Sequence, residues 1–157
     1  MDRPAADIPL EDLLPHRAPM MLIDSVEEFS PEDRRVVVGV TIRRSSMFAG
    51  PDGVPAWVAI EYMAQASAAL VGLYDRVCGS APRPGLLLGT RRLELSAGSF
   101  AIGEKYKVSA VNAFEDAEAA AFECEIRDSA GAVVASASLN AYRPLDMASF
   151  LKEHGAR

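Results

Sequence analysis

Hydrophobic and small residues fall into one long block followed by short alternating runs. From Val54 to Tyr74 the segment VPAWVAIEYMAQASAALVGLY is apolar or small on nearly every side, interrupted only by Glu61, Gln65 and Ser67. Asp52-Gly53 ahead of it and Pro55 in its first turn form a helix start, and Arg76, Gly79 and Pro82 supply the stop. The span Pro55–Arg76 predicts a helix of about 33 Å. That length would cross a bilayer. A carboxylate inside the span, however, costs about 2.5–3.5 kcal/mol on insertion scales, and the Ala/Ser/Gly content leaves little apolar gain to offset it. A helix that is apolar all round in a soluble chain is a buried helix, so other elements must wrap it.

Those elements are strands. Pro19–Phe29 and Arg34–Arg43 precede the helix; Arg83–Leu95, Gly103–Ala113, Ala117–Asp128 and Ala132–Tyr142 follow it. Phe122, Cys124 and Ile126 alternate with Glu123, Glu125 and Arg127, the period of a half-buried strand. Ser129-Ala130-Gly131 is a hairpin-type turn, while Ala117–Ala121 is compatible with a helix start as well as with a strand. Two strands, one long helix and about four more strands do not alternate as a doubly wound sheet requires. They predict an α+β fold in which a curled antiparallel sheet of five to six strands wraps one helix. Such a sheet leaves an open edge, so dimerisation is expected. The chain reads as one domain over 1–157, with its core at about 13–143 and a polar tail at 144–157.

Composition narrows the function classes. The 157 residues carry a net charge of −6 and show no basic stripe of the kind nucleic-acid binders use. Half the residues are hydrophobic and 24% are charged, as in an ordinary globular domain. Cys78 and Cys124 are isolated, and His16 and His154 are the only histidines, so no metal site is expected. The opening segment MDRPAADIPLEDLLPHR lacks the charged start and apolar run of a signal peptide, which predicts a cytoplasmic protein with reduced thiols.

Three segments carry a resemblance to a known family. LLPHRAPMMLIDSV (13–26) resembles the opening motif of the β-hydroxyacyl-acyl-carrier-protein dehydratases of fatty-acid synthesis. AIEYMAQ (59–65) resembles their central-helix motif, and LLLGTRRLELSAGSFAIGE (86–104) is similar to the strand that ends in their V-x-P-G-D turn. The resemblance implies a hot-dog fold working as a dimer, with Glu61 on the family's catalytic acidic position. In the family a G-H-F-P-G histidine lies fourteen residues before that acid; here the position holds Met47, in SMFAG, with Phe48 and Gly50 keeping the frame. This pattern most resembles an outlying branch that includes dehydratase-like proteins of aryl-polyene pigment clusters.

The resemblance implies dehydration of 3-hydroxyacyl thioesters held on the phosphopantetheine of an acyl carrier protein, with no further cofactor. This needs a base for the C2 proton, an acid for the leaving hydroxyl and polarisation of the thioester carbonyl. A thioether at Met47 moves no protons. His16 is the available imidazole, and it is expected either to pair with Glu61 in the space vacated at Met47 or only to bond backbone beside the first strand. Burial would keep Glu61 protonated as the acid. The backbone N–H of Ala56, at the helix start, is expected to hold the carbonyl oxygen. Pro15, Met47, Phe48, Gln65 and Leu88 are expected along the acyl tunnel, with Met20, Met21 and Met63 as further flexible lining. Gln65, one turn beyond Glu61, would orient the carboxyl or satisfy buried backbone. Arg91 and Arg92 are expected to dock the acidic carrier protein. The competing readings are a non-catalytic subunit that pairs with an active dehydratase, and an acyl thioesterase.

Overall fold

The structure is a computed structural model, described here for residues 5–155. Two short 3₁₀ turns, Ala5–Asp7 and Leu10–Asp12, lead into strands β1 (Ser25–Ser30) and β2 (Arg35–Thr41). A two-residue strand β3 (Val54–Pro55) and a 3₁₀ turn (Ala56–Val58) then feed helix α1 (Ala59–Val77). After it come β4 (Leu86–Leu95), the short β5 (Ser99–Phe100), β6 (Lys105–Glu115), β7 (Ala119–Arg127), β8 (Val133–Tyr142) and helix α2 (Met147–His154). Six strands form one antiparallel sheet in the order β1-β2-β6-β7-β8-β4, while β3 pairs only with β5. This is the hot-dog architecture, with α1 packed against β2, β6, β7 and β8.

The helix is buried because its surface is almost entirely apolar. Ala59, Met63, Ala66, Ala69 and Leu70 are wholly buried against inward-facing Val36, Val38, Val108, Ala110 and Ile126 of the sheet. In β7 the buried set is Ala120, Phe122, Cys124 and Ile126, the alternation expected of a strand covered on one face. The same strand begins at Ala119, so the Ala-rich stretch is not a helix start. Asp116 Oδ1 accepts from the backbone N–H of Glu118 and Ala119, making a turn that delivers the chain directly into pairing with β8.

Three boundaries differ from the sequence expectation. Pro19–Asp24 does not belong to β1, because the backbone of Met20 and Leu22 is bonded to the Gln65 side chain rather than to another strand. Strand β4 begins at Leu86 rather than Arg83, since Pro82 and Pro84 cannot donate to a ladder. The polar tail contains α2, which starts where Asp146 caps the Ser149 N–H and is held by Phe150 packing on Tyr142.

One glycine sets how closely the N-terminal segment approaches the helix. A Cβ on Gly72 would collide with the Leu13 carbonyl oxygen and sit 3.0 Å from Leu13 Cα. Leu13 and Leu14 are both buried against α1, and the chain leaves them directly into Pro15-His16. The Gly72→Ala variant is expected to lose about 1–3 kcal/mol through overpacking, read as a lower urea midpoint at unchanged slope. An unchanged midpoint would show that the Leu13 backbone yields freely.

Candidate active site

Residues Glu61, Ala64, Ala68, Val71 and Gly72 follow helical spacing along one face of α1. The residues beyond Glu61 are small or short, so the face leaves open space instead of filling it. The N-terminal segment Leu13–Arg17 forms one wall of that space, and Pro82–Leu87 with Phe122, Leu139 and Ala141 forms another. The result is a mainly apolar cavity of about 460 Å³. Arg143 also borders it; this residue is buried, bonds Asp75 at 2.7 Å and lies 3.8 Å from Glu115.

At the near end His16 and Glu61 face each other, with Nε2 of the imidazole 3.5 Å from Oε1 of the carboxylate. Their side chains are 28% and 33% exposed. Glu61 is therefore not sealed in apolar surroundings, and the deep burial expected to keep it protonated is absent. Behind Glu61 lies Gln65, fully buried, whose amide makes three hydrogen bonds. Its Oε1 accepts from Leu22 N–H at 2.8 Å; its Nε2 donates to the Met20 carbonyl at 2.7 Å and to Glu61 Oε1 at 2.8 Å. The two roles weighed for Gln65 are thus filled at once: it satisfies buried backbone and it holds the carboxylate.

Other expected site residues lie elsewhere. Pro15 lines the cavity, and Gln65 sits behind it rather than in its wall. Met47 is 49% exposed and, with Phe48, Met21 and Tyr62, lines a separate groove of about 290 Å³. His16 therefore does not occupy the space at Met47; the two residues border different cavities. Leu88 is 66% exposed on the edge strand, while its neighbours Leu86 and Leu87 reach the cavity. None of Met20, Met21 and Met63 lines it, and Met63 is wholly buried core. The Ala56 N–H is taken by the Gly98 carbonyl at 3.0 Å, so it is not free to hold a thioester oxygen. Arg92 borders a polar groove with Ser109, Glu123 and Arg127, Arg91 is exposed beside it on β4, and neither is at the cavity. The basic residues that do border it are Arg17, Arg83 and Arg143. Arg143 gave no sequence signal, because its Asp75 partner is 68 residues away. Among the described residues no group of acidic, His and Cys side chains is arranged to hold a metal ion.

A long buried helix packed on one six-stranded antiparallel sheet defines a hot-dog protein, here with a carboxylate facing an apolar cavity. Comparison with known proteins agrees and is more specific. Residues 8–152 match the family described as ApeP-like, ApeP dehydratase. The structure is similar to the dehydratase heterocomplex ApeI:P from Xenorhabdus doucetiae, with a TM-score of 0.86 and 30% identity, covering 95% of this chain and 99% of that one. The chain belongs to the ApeP-like dehydratase family. More distant structures share the fold. A Helicobacter felis HP0420 homologue has a TM-score of 0.66 at 16% identity, over 90% of this chain and 94% of that one. A hypothetical thioesterase with coenzyme A from Streptococcus pneumoniae TIGR4 has 0.58 at 13%, over 76% and 84%. Among curated proteins no sequence matches significantly.

Replacing Gln65 by Leu keeps the volume and strips three hydrogen bonds, leaving Leu22 N–H and the Met20 carbonyl unpaired. The expected cost is about 1–3 kcal/mol per buried group left unpaired, measured by chemical denaturation. A Gln65→Leu protein as stable as the parent would mean that water replaces the amide.

Proposed function

We propose that this chain dehydrates 3-hydroxyacyl thioesters carried on the phosphopantetheine of an acyl carrier protein, giving the trans-2-enoyl product of a fatty-acid, polyketide or aryl-polyene pathway in the cytoplasm. The observation that carries this reading is the His16–Glu61 pair, 3.5 Å apart at the head of an elongated apolar cavity. A thioester placed at that head would have its C2 and C3 within reach of the pair, and its acyl chain would run along Ala64, Ala68 and Gly72. Removal of water from a 3-hydroxyacyl group moves two protons and leaves the thioester intact, so a carboxyl beside an imidazole supplies the needed chemistry. Membership of the dehydratase family supports the reaction class.

A second reading has its own support. The motif resemblance puts Met47 at the position of the dehydratase histidine, and strand β4 leaves Leu86, Leu87 and Leu88 exposed on a sheet edge. Both features fit a subunit that pairs with another dehydratase, and the similar Xenorhabdus structure is a heterocomplex. The thioesterase alternative gains nothing specific, because the thioesterase structures are similar at the level of fold alone.

The test uses the purified protein with carrier-bound 3-hydroxyacyl groups of several lengths, an aryl one included, and follows loss of water by mass spectrometry. Wild type is expected to dehydrate at least one, and Glu61→Ala to fall by about 10²–10⁴-fold. No loss of water on any substrate would remove the lone-enzyme reading. Activity that appears only on adding a second dehydratase subunit would establish the paired one.

A further inference from the structure

The cavity is charged at two places along α1 and apolar between them. Glu61 borders it in the first turn, and Arg143 borders it where the helix ends, because its guanidinium bonds Asp75 in the last turn. The helical rise from Glu61 to Asp75 is about 21 Å. Ala64, Ala68 and Val71 border the stretch between them. Arg143 is fixed in its place: its side chain is 9% exposed, bonds Asp75 at 2.7 Å and lies 3.8 Å from Glu115. A Cβ on Gly85 would stand 3.1 Å from Arg143 Cγ, so the bare backbone at 85 leaves room for the arginine stem beside the cavity. The surrounding charge is balanced. Glu115 is also met by Arg34 at 3.2 Å, so two cations face the two carboxylates. At the rim the exposed Arg17 and Arg83 stand with the exposed Glu11 and Asp12.

We propose that Arg143 sets substrate specificity, its guanidinium donating to a neutral oxygen, the hydroxyl of an alcohol or a phenol, at the terminus of a long acyl chain. The proposal rests on the reading of this cavity as the acyl site of a dehydratase. A thioester placed at Glu61 sends an extended chain along the apolar face of α1, and the chain's terminus arrives beside Arg143. A guanidinium carries five N–H donors in a planar fork, and one carboxylate occupies only one side of it. Donors that the cavity reaches meet water until a ligand arrives. A methyl terminus displaces that water and offers no acceptor, whereas a hydroxyl replaces it in kind. A carboxylate terminus would accept as well, but the balanced cluster leaves no net positive charge to receive its own.

The test is binding, so it needs no turnover. Pantetheine amides, which carry an acyl chain without a reactive thioester, are titrated into the protein by calorimetry. One set compares the hexadecanoyl amide with its ω-hydroxy and ω-carboxy analogues; another compares a phenyl-ended chain of similar length with its para-hydroxyphenyl analogue. The hydroxyl-bearing member is expected to bind about tenfold tighter in at least one set, the alkyl set assigning an alcohol and the aryl set a phenol. No gain from the hydroxyl in either set, a tighter ω-carboxy probe, or no binding of any long probe would overturn the proposal. Octanoyl and ω-hydroxyoctanoyl amides are too short to span from Glu61 to Arg143 and are expected to bind alike; an equal hydroxyl gain at that length would place the recognition elsewhere and overturn it too. Arg143→Lys keeps a cation beside Asp75 but replaces the planar fork by a point donor that the carboxylate holds. It is expected to lose the hydroxyl gain and to leave hexadecanoyl binding unchanged, and a retained gain would sink the assignment. Should the lysine variant not fold, Ala68→Leu narrows the middle of the cavity and is expected to weaken every long probe; unchanged binding would put the chain outside this cavity. A wild type that shows the hydroxyl gain but dehydrates nothing fails the dehydratase reading and leaves the specificity of Arg143 standing. One that dehydrates without any hydroxyl gain does the reverse.

Discussion

Gln65 is a wholly buried amide on a helix whose neighbours are almost all apolar, and the site depends on how that amide is satisfied. An unpaired amide at such a depth would cost several kcal/mol, so its partners are obligatory. Two of them are the backbone groups of Met20 and Leu22, which are thereby withdrawn from the sheet. The consequence is architectural: β1 starts at Ser25, and Met20 and Leu22 before it are tied to α1 instead of to a strand. The chain just ahead of them carries Pro15 and His16. The third partner is Glu61, so one side chain ties the position of the loop to the orientation of the carboxylate.

The cavity follows from a second constraint on the same helix. A face of Ala64, Ala68 and Gly72 buries well but fills little, and close approach of Leu13 to Gly72 brings a wall to one side without closing the gap. At the other end the buried Arg143–Asp75 pair joins the end of β8 to the last turn of α1. Both charges are largely removed from water there, so neither can be lost alone without leaving the other buried and unpaired. Fixing the helix at both ends lets it carry a cavity along its middle.

Much of this was legible in the sequence because it rests on periodicity. The all-round apolar block required a wrapped helix, and the alternation through Phe122, Cys124 and Ile126 required a strand covered on one face. Two segments with ambiguous local signals were settled by distant partners. Pro19–Asp24 has the apolar content of a strand but is claimed by Gln65, and Ala117–Ala121 has helix propensity but is paired between β6 and β8. The site was legible only in part. Glu61 was marked by the resemblance to the dehydratase helix motif and His16 as the one imidazole outside the tail; Met47, on a turn after β2, and Leu88, Arg91 and Arg92, on the edge strand β4, border no part of the cavity. The Ala56 N–H failed for a related reason: the helix is preceded by a 3₁₀ turn and a short strand, which bring the Gly98 carbonyl onto a donor that a bare helix end would leave free.

The pairing of His16 with Glu61 within a single chain changes what a second subunit would be for. Both groups are brought together by the helix and by the segment that Gln65 anchors, so no partner is needed to assemble them. What the single chain leaves incomplete is the cavity wall. Leu86 and Leu87 line it from the first residues of β4, the edge strand, and are 36% and 44% exposed. A partner strand paired to β4 would bury that edge and fix the position of both leucines. Assembly would then act on cavity shape, and hence on which acyl chains enter.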